Sequence, residues 1–504
     1  MIKRLAGQLR LRETQGFLCL TIIIGVLAGL SAVFFALAIE RSSHWLFGIS
    51  PSPLRVLLVP TAASLVAGVL LATFFRDARG SGLPETGTAF HENHGIIPAR
   101  VPLGKFITGV LCVGSGHSLG REGPSIQIGA GIASLAGRWL RLPPQRLQAL
   151  APIGAAAALS AAFNTPLAAV VFVLEAVIGD FEAAVIGPAI IASVTAVIVE
   201  RSLLGNNPWL HVPGFHLVRP VELLAYAGLG IIGGIISLIF CKGLLLARAL
   251  FKKLPRWTVV IQPAIGGLMI GGILIVFPQV MAVGYEYVDQ ALNGGLILKT
   301  MMVLCAVKLV ATIISYASGN AGGIFAPSLY LGAMAGGAVG IVVRYFAPAS
   351  TADPGAYALV GMGALFAGIM RAPITSVFLI FELTQDYRIL APLLIGNLLS
   401  FTISRYWQRE PIYRALPELD RIFVPEPQAR VPAAAVVEAT AAAEAEPSDI
   451  MVTDAILVPE ESPIEDTPEL VTTNGTVETT SEDGRHLVGR NGKKPIRRVK
   501  RKTI

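Results

Sequence analysis

Charged residues are scarce in this sequence. Asp, Glu, Lys and Arg make up 14% of its 504 residues, whereas soluble domains carry about a quarter. Hydrophobic residues reach 53%, and the mean hydropathy is +0.65. This composition excludes an ordinary soluble domain and indicates a polytopic membrane protein.

Cysteine and catalytic motifs are scarce as well. The four cysteines stand singly in apolar segments, so they predict neither a disulfide framework nor a zinc site. The sequence has no HExxH motif and no paired His/Cys set, which argues against a membrane-embedded enzyme. We therefore expect no enzyme activity, no cofactor and no metal. We attribute the net charge of +7 to basic flanks such as 492–502 that face anionic lipid or solvent, and we expect no nucleic-acid partner.

Long uncharged runs are present instead. Phe17–Ala38 exceeds the roughly 20 residues that a helix needs to cross a bilayer. Further spans or near-spans are Val56–Phe75, Val221–Phe240, Trp257–Met281 and Ile389–Ile403. The basic segment 1–16 lacks a signal-peptide cleavage site, so we expect it to remain and to lie in the cytoplasm.

An internal repeat divides the apolar part of the chain. EGPSIQIGA at 122–130 matches FAPSLYLGA at 325–333, and NTPLAAVVFVLE at 164–175 matches RAPITSVFLIFE at 371–382. The matches occur in the same order with nearly the same spacing. They predict two related halves, and many transporters build a site at the bilayer midplane from such halves.

The repeat sets the expected domain organisation. We expect a first transmembrane repeat at 17–201, a linker at 202–220 and a second transmembrane repeat at 221–416. Residues 417–504 are rich in Ala, Pro and Glu at their start and polar afterwards, which predicts a largely disordered cytoplasmic tail. At most, this tail contains a degenerate fragment of a CBS module.

Three stretches combine glycines with a following proline: GSGLP at 80–84, GREGP at 120–124 and GGIFAP at 322–327. Each precedes an apolar run, which predicts a helix that begins inside the membrane. Converging helix N-termini bind anions through unpaired N–H groups and the helix dipole. The carboxylate of Glu122 is itself an anion, so it can occupy this site until protonation or a competing anion displaces it.

The motifs GSGLPE, GREGPSIQIG, GGIFAP and PIYRAL resemble the signature motifs of the CLC family of chloride channels and chloride/proton antiporters. The resemblance implies an all-α membrane protein with two inverted-topology repeats of short, tilted and broken helices. It also implies a homodimer with one chloride pathway per subunit, in the cell (inner) membrane with both termini cytoplasmic. Its implied site comprises the gate Glu122 and the anion-binding residues Ser81, Gly123, Ile324, Phe325 and Tyr413. We predict three supporting residues from the sequence itself: Arg121 and Lys105 through their charge, and Glu175 through a structural role that its repeat position favours.

One departure from the family pattern leaves the mechanism open. Family exchangers commonly carry two adjacent acids where this chain has Glu175 followed by Ala176, and the second acid passes protons. Channels of the family lack that acid. We therefore interpret the protein as a chloride channel gated by Glu122, with a chloride/proton antiporter that uses another internal proton route as the alternative. Tyr413 also has two interpretations, because a tyrosine beside the last span can belong to the interfacial aromatic belt.

Overall fold

The structure is a computed structural model that describes residues 2–181, 183–205 and 218–419, together with three short strands further along the chain. The described residues of the first half form eight helices. These are α1 (Ile2–Phe47), α2 (Pro53–Thr73), α3 (Leu83–His91), α4 (Arg100–Gly114), α5 (Glu122–Trp139), α6 (Pro144–Phe163), α7 (Pro166–Phe172) and α8 (Ala183–Leu204). A π-helical turn at Val173–Ile178 extends α7. Helix α1 includes part of the predicted N-terminal segment 1–16.

The described residues of the second half repeat this order. The helices are α9 (Glu222–Lys253), α10 (Gln262–Val276), α11 (Tyr285–Leu292), α12 (Leu298–Ala317), α13 (Phe325–Phe346), α14 (Pro354–Met370), α15 (Pro373–Thr384) and α16 (Leu390–Trp407), and α17 (Ile412–Leu419) follows them. Short 3-10 turns lie at Arg76–Ala78, Arg256–Val260, Pro278–Val280, Pro348–Ser350 and Tyr387–Ile389. Each helix from α9 to α16 is the counterpart of one from α1 to α8.

The chain divides into two units, Met1–Gln428 and Ala429–Ile504. In the second unit, three strands form an antiparallel sheet in the order β1 (Val471–Thr473), β2 (Thr476–Thr479) and β3 (Leu487–Gly489). These strands are not predicted from the sequence. Most of the predicted disordered tail, including its CBS-like stretch, lies outside the described residues, as does most of the linker predicted at 202–220.

Eight helices among the described residues are long and apolar enough to cross a membrane, which agrees with the expected polytopic fold. The predicted span Trp257–Met281 differs from the structure. Its helix, α10, covers only Gln262–Val276, because Pro263 lies in the first turn and a 3-10 turn starts at Pro278. The protein is therefore a multi-pass membrane protein in which several helices are shorter than a full span.

The centre of the first unit consists of α6 and α14, which are counterparts of each other. Fifteen of the 20 residues of α6 and 16 of the 17 residues of α14 are buried; α6 is rich in alanine, and α14 is rich in alanine and glycine. Small side chains let helix backbones approach closely, which is the main way that helices associate in lipid. Helices α5 and α13 pack on these two helices, and their first turns therefore lie deep inside the protein.

The two halves meet at equivalent residues. Gly120 and Gly323 form an isolated antiparallel bridge in which each backbone N–H donates to the carbonyl oxygen of the other at 2.8 Å. Two equivalent residues that pair reciprocally lie on either side of a two-fold axis. The bridge therefore marks the axis that relates the inverted repeats.

Candidate functional site

The predicted helix starts occur where the glycine–proline motifs stand. Helix α3 begins at Leu83, α5 at Glu122 and α13 at Phe325, and all three residues are buried. The first turn of a helix leaves backbone N–H groups without intrahelical partners. These three starts therefore bring N–H groups and positive dipole ends into the interior, as a site for an anion requires.

Close backbone contacts show that the three starts converge. A methyl group on Gly123, in the first turn of α5, would lie 2.5 Å from the carbonyl oxygen of Ser81 and 3.2 Å from the Cα atom of Gly323. A side chain at this position is thus excluded by the loop before α3 and by the loop before α13. The predicted anion-binding residues Ser81, Gly123 and Ile324 consequently belong to one cluster of loops.

Ser81 supplies a hydroxyl group to this cluster. The residue is fully buried, and its Oγ atom has no hydrogen-bond partner among the described residues. Most buried hydroxyl groups in proteins are hydrogen-bonded, so an exception asks for an explanation. A hydroxyl that donates to a bound anion provides one.

Lys105 supports the loop that carries Ser81. Its Nζ atom is fully buried and donates to the carbonyl oxygen of Gly80 at 2.8 Å and, more weakly, to that of Arg79 at 3.5 Å. The lysine therefore contacts the turn immediately before the serine. Its charge also adds positive potential to the neighbourhood of the site.

Glu122 is fully buried at the start of α5. Its Oε1 atom accepts a hydrogen bond of 3.1 Å from the hydroxyl group of Tyr285, and its Oε2 atom lies over Gly120. The adjacent Arg121 donates to the carbonyl oxygen of Ala162 at 3.4 Å. The carboxylate thus lies at the junction of the two halves, beside the bridge between Gly120 and Gly323.

The remaining predicted anion-binding residues are buried as well. The Phe325 side chain packs into a cluster of phenylalanine rings, with centroid distances of 4.8 Å to Phe163, 5.1 Å to Phe172 and 4.5 Å to Phe366. The ring is therefore occupied by this packing, and the backbone amide in the first turn of α13 is the group of Phe325 that can contact an anion. Tyr413, on α17, is 8% exposed, which favours an interior position over a place in an interfacial belt.

Glu175 belongs to a different contact. Its carboxylate accepts hydrogen bonds from the backbone N–H groups of Ile374 (3.2 Å) and Thr375 (2.8 Å) and from the Thr375 hydroxyl (2.7 Å). Its repeat counterpart Glu382 accepts from the N–H groups of Leu167 (2.9 Å) and Ala168 (2.7 Å). Each half therefore caps the seventh helix of the other half, at α15 and at α7 respectively.

Two residues at the site, Tyr285 and Lys308, were not predicted from the sequence. Tyr285 follows no glycine–proline motif, and a tyrosine in an apolar chain is unremarkable. Lys308 carries a usable signal, because it follows Lys105 by the same number of residues as Gly323 follows Gly120. A search for repeated charges would have found it.

Inverted repeats, three convergent helix starts and an intramembrane carboxylate define a membrane protein that moves anions through its interior. The family model described as "Voltage gated chloride channel" matches residues 63–405. The chain is 32% identical over 408 residues to the H(+)/Cl(-) exchange transporter ClcA of Vibrio campbellii, which covers 78% of this chain and 87% of the relative. It is also 32% identical over 408 residues to a ClcB-like chloride channel protein of Ralstonia nicotianae, covering 78% of this chain and 95% of that relative. The chain belongs to the CLC family.

Solved structures agree with this assignment. A slow cyanobacterial Cl-/H+ antiporter superposes with a TM-score of 0.74 at 28% identity, over 80% of this chain and 97% of the antiporter. A CLC-type fluoride/proton antiporter superposes with a TM-score of 0.68 at 23% identity, over 80% and 98% of the two chains, which supports the fold alone.

Proposed function

We propose that this protein exchanges chloride for protons, with Ser81, Gly123, Ile324, Phe325 and Tyr413 forming the anion path and Glu122 acting as its gate. The observation that carries the anion site is the buried Ser81 hydroxyl without a partner among the described residues, beside three helix starts. Relatives named as exchangers support the coupling to protons, so the exchanger is favoured over the channel of our first interpretation.

The site suits permeation because it binds chloride with dipoles and hydroxyl groups. Backbone N–H groups at the helix starts and the Ser81 hydroxyl donate to the ion without forming a full ion pair. Binding of this kind is strong enough to admit an ion and weak enough to release it. Lys105 supports chloride binding in two ways: it holds the loop that carries Ser81, and its positive charge attracts the anion.

Glu122 functions as a tethered competitor of chloride. Its ionised carboxylate is attracted by the same helix starts that attract the permeant ion. When a proton binds to the carboxylate, the negative charge disappears and the attraction weakens, so the side chain leaves and chloride enters. The proton that Glu122 accepts is then the one exchanged for chloride.

The inner part of the proton route differs from the pattern that the family resemblance implies. Ala176 lies in the π-helical turn Val173–Ile178 and is only partly buried, and its methyl group carries no proton. An exchanger with this sequence therefore uses another side chain or a chain of water molecules. Ala176 is also the specific observation that favours the second candidate, a chloride channel gated by Glu122.

Simultaneous measurement of chloride and proton flux tests both candidates. Purified protein in liposomes is given an outward chloride gradient at controlled potential, and external pH is recorded. We expect chloride efflux to drive protons inward against their gradient, and we expect Glu122→Ala to abolish proton movement while chloride still flows. Chloride flux without proton movement in the wild-type protein would establish the channel. No chloride flux from folded protein would contradict both.

We also propose that the protein is a homodimer in the cell (inner) membrane with both termini in the cytoplasm, as the family resemblance implies. Many apolar side chains on the membrane-spanning helices are exposed, which supplies surface for lipid and for a second copy. Molecular mass in detergent or lipid nanodiscs tests the oligomeric state. Labelling of cysteines introduced near each end of the chain in intact cells tests the orientation.

A further inference from the structure

A tyrosine of the second half contacts the carboxylate that we propose as the gate. The Tyr285 hydroxyl donates to Oε1 of Glu122 at 3.1 Å, although 163 positions separate the two residues in the chain. Tyr285 is the first residue of the short helix α11 and is partly buried. A hydrogen bond to an ionised group is about twice as strong as one between neutral groups. This bond therefore favours the ionised, docked carboxylate.

A buried lysine, Lys308, binds the loop before Tyr285. Lys308 Nζ donates to three carbonyl oxygens of this loop, those of Val280 (3.1 Å), Ala282 (2.6 Å) and Val283 (3.3 Å). The ammonium group also lies 4.7 Å from the centroid of the Tyr330 ring. Lysine has three N–H donors, and this loop uses all of them. The start of α11, and with it Tyr285, is therefore fixed in position.

The same device occurs in the first half. Lys105 donates to the carbonyl oxygens of the loop before α3, and that loop carries Ser81. Lys308 donates to the loop before α11, the counterpart of α3, and that helix begins with Tyr285. Each half thus has a lysine-held loop that points a hydroxyl group into the site. The first hydroxyl faces the anion path, and the second contacts the gate.

We propose that Tyr285 is a positioning residue for the gate, which holds the ionised Glu122 carboxylate in its closed position and must be released in each transport cycle. This proposal rests on the proposed role of Glu122. The other charged or titratable groups that act electrostatically on Glu122 among the described residues are Arg121, Lys308 and Tyr413. None of these residues is altered when the hydroxyl of Tyr285 alone is removed, so Tyr285→Phe tests the contribution of this hydroxyl to the docked gate.

The experiment measures chloride flux from liposomes as a function of pH for the wild-type protein and for Tyr285→Phe. We expect the variant to be about tenfold faster above neutral pH, the factor that corresponds to a hydrogen bond to a charged group at the low end of its range. At acidic pH, where protonated Glu122 is already released, we expect equal rates. Tyr287→Phe is the matched control, because it removes a hydroxyl from the same helix two residues away, and it should behave as the wild type.

A double-mutant cycle separates this proposal from the proposed gate. In a Glu122→Ala background, Tyr285→Phe should cause no further change in flux, because the partner of the hydroxyl is gone. An equal acceleration in that background would show a general structural effect and overturn the proposal. Wild-type behaviour of Tyr285→Phe, with Glu122→Ala clearly altered, would overturn the role of Tyr285 and leave the gate intact. Unaltered flux and pH dependence in Glu122→Ala would overturn the gate itself, and the role of Tyr285 with it.

Discussion

Replacing Gly120 with alanine should open the proposed gate without changing the gate residue. A methyl group built on Gly120 lies 2.1 Å from Oε2 of Glu122 and 3.3 Å from the Cβ atom of Ala326. Ordinary van der Waals separations are roughly 3.5 Å. The backbone of Gly120 is outside the left-handed region, so alanine is compatible with its conformation. The flexible carboxylate, and not the backbone, is therefore the group that moves.

The size of the effect follows from the displacement. The carboxylate must retreat by more than about 1 Å to reach ordinary van der Waals distance. Its hydrogen bond to Tyr285, now 3.1 Å, would then exceed the range in which such a bond exists. Loss of a hydrogen bond to a charged group costs about 1.5 kcal/mol at the low end of its range, which is about a tenfold change in the ratio of docked to released gate.

Chloride flux from liposomes above neutral pH is the assay, because the ionised, docked form of the gate becomes more frequent as the pH rises. We expect Gly120→Ala to be about tenfold faster than the wild type there, and equal to it at acidic pH. Gly228→Ala in α9 is the control, since a methyl group at Gly228 meets nothing within 4 Å. A flux–pH curve for Gly120→Ala that coincides with the wild-type curve would refute the inferred position of the closed gate.

Three further variants test other contacts. Glu382→Ala leaves the N–H groups of Leu167 and Ala168 without their carboxylate, which should cost about 2 kcal/mol after allowance for partial exposure and lower the apparent unfolding temperature in detergent, with a smaller loss for Glu382→Gln. Lys308→Met releases the loop before α11, so its flux–pH curve should shift in the same direction as that of Tyr285→Phe; a curve like the wild type would contradict the positioning role of that loop. Ala176→Glu adds a proton-carrying side chain to the π-helical turn, and we expect more protons moved per chloride in the paired flux assay; an unchanged ratio would show that the inner route avoids this position.

Much of the fold follows from short-range chemistry that a sequence displays. Glycine followed by proline predicts helix starts because glycine suits the turn and proline is tolerated in the first helical turn, where the backbone N–H groups have no intrahelical partner; α3, α5 and α13 begin within the three predicted stretches. The repeat is equally visible, since Pro166 and Pro373 are each followed nine residues later by a glutamate. Each of these signals is carried by a short segment of consecutive residues, so one sequence suffices to read them.

The contact between Tyr285 and Glu122 could not be predicted in the same way. It joins two halves of the chain, and it depends on the register in which α11 packs beside α13. The short helix α10 was also mispredicted as part of a longer span, because apolar residues continue through the 3-10 turns on both sides of it. Apolar runs report burial or lipid contact, but they do not report where a helix ends.

The reciprocal glutamate caps have a consequence for how the chain is made. The first turn of α7 is complete only when Glu382 reaches it, and Glu382 is 214 positions further along the chain than Ala168. At synthesis rates of about 5–20 residues per second, the ribosome needs on the order of 10–40 s to produce that carboxylate. During this interval the N–H groups of α7 need a substitute partner such as water, the translocon or a chaperone. The first half therefore remains incompletely folded after its insertion, and the cap on α7 forms only after the second half has been translated.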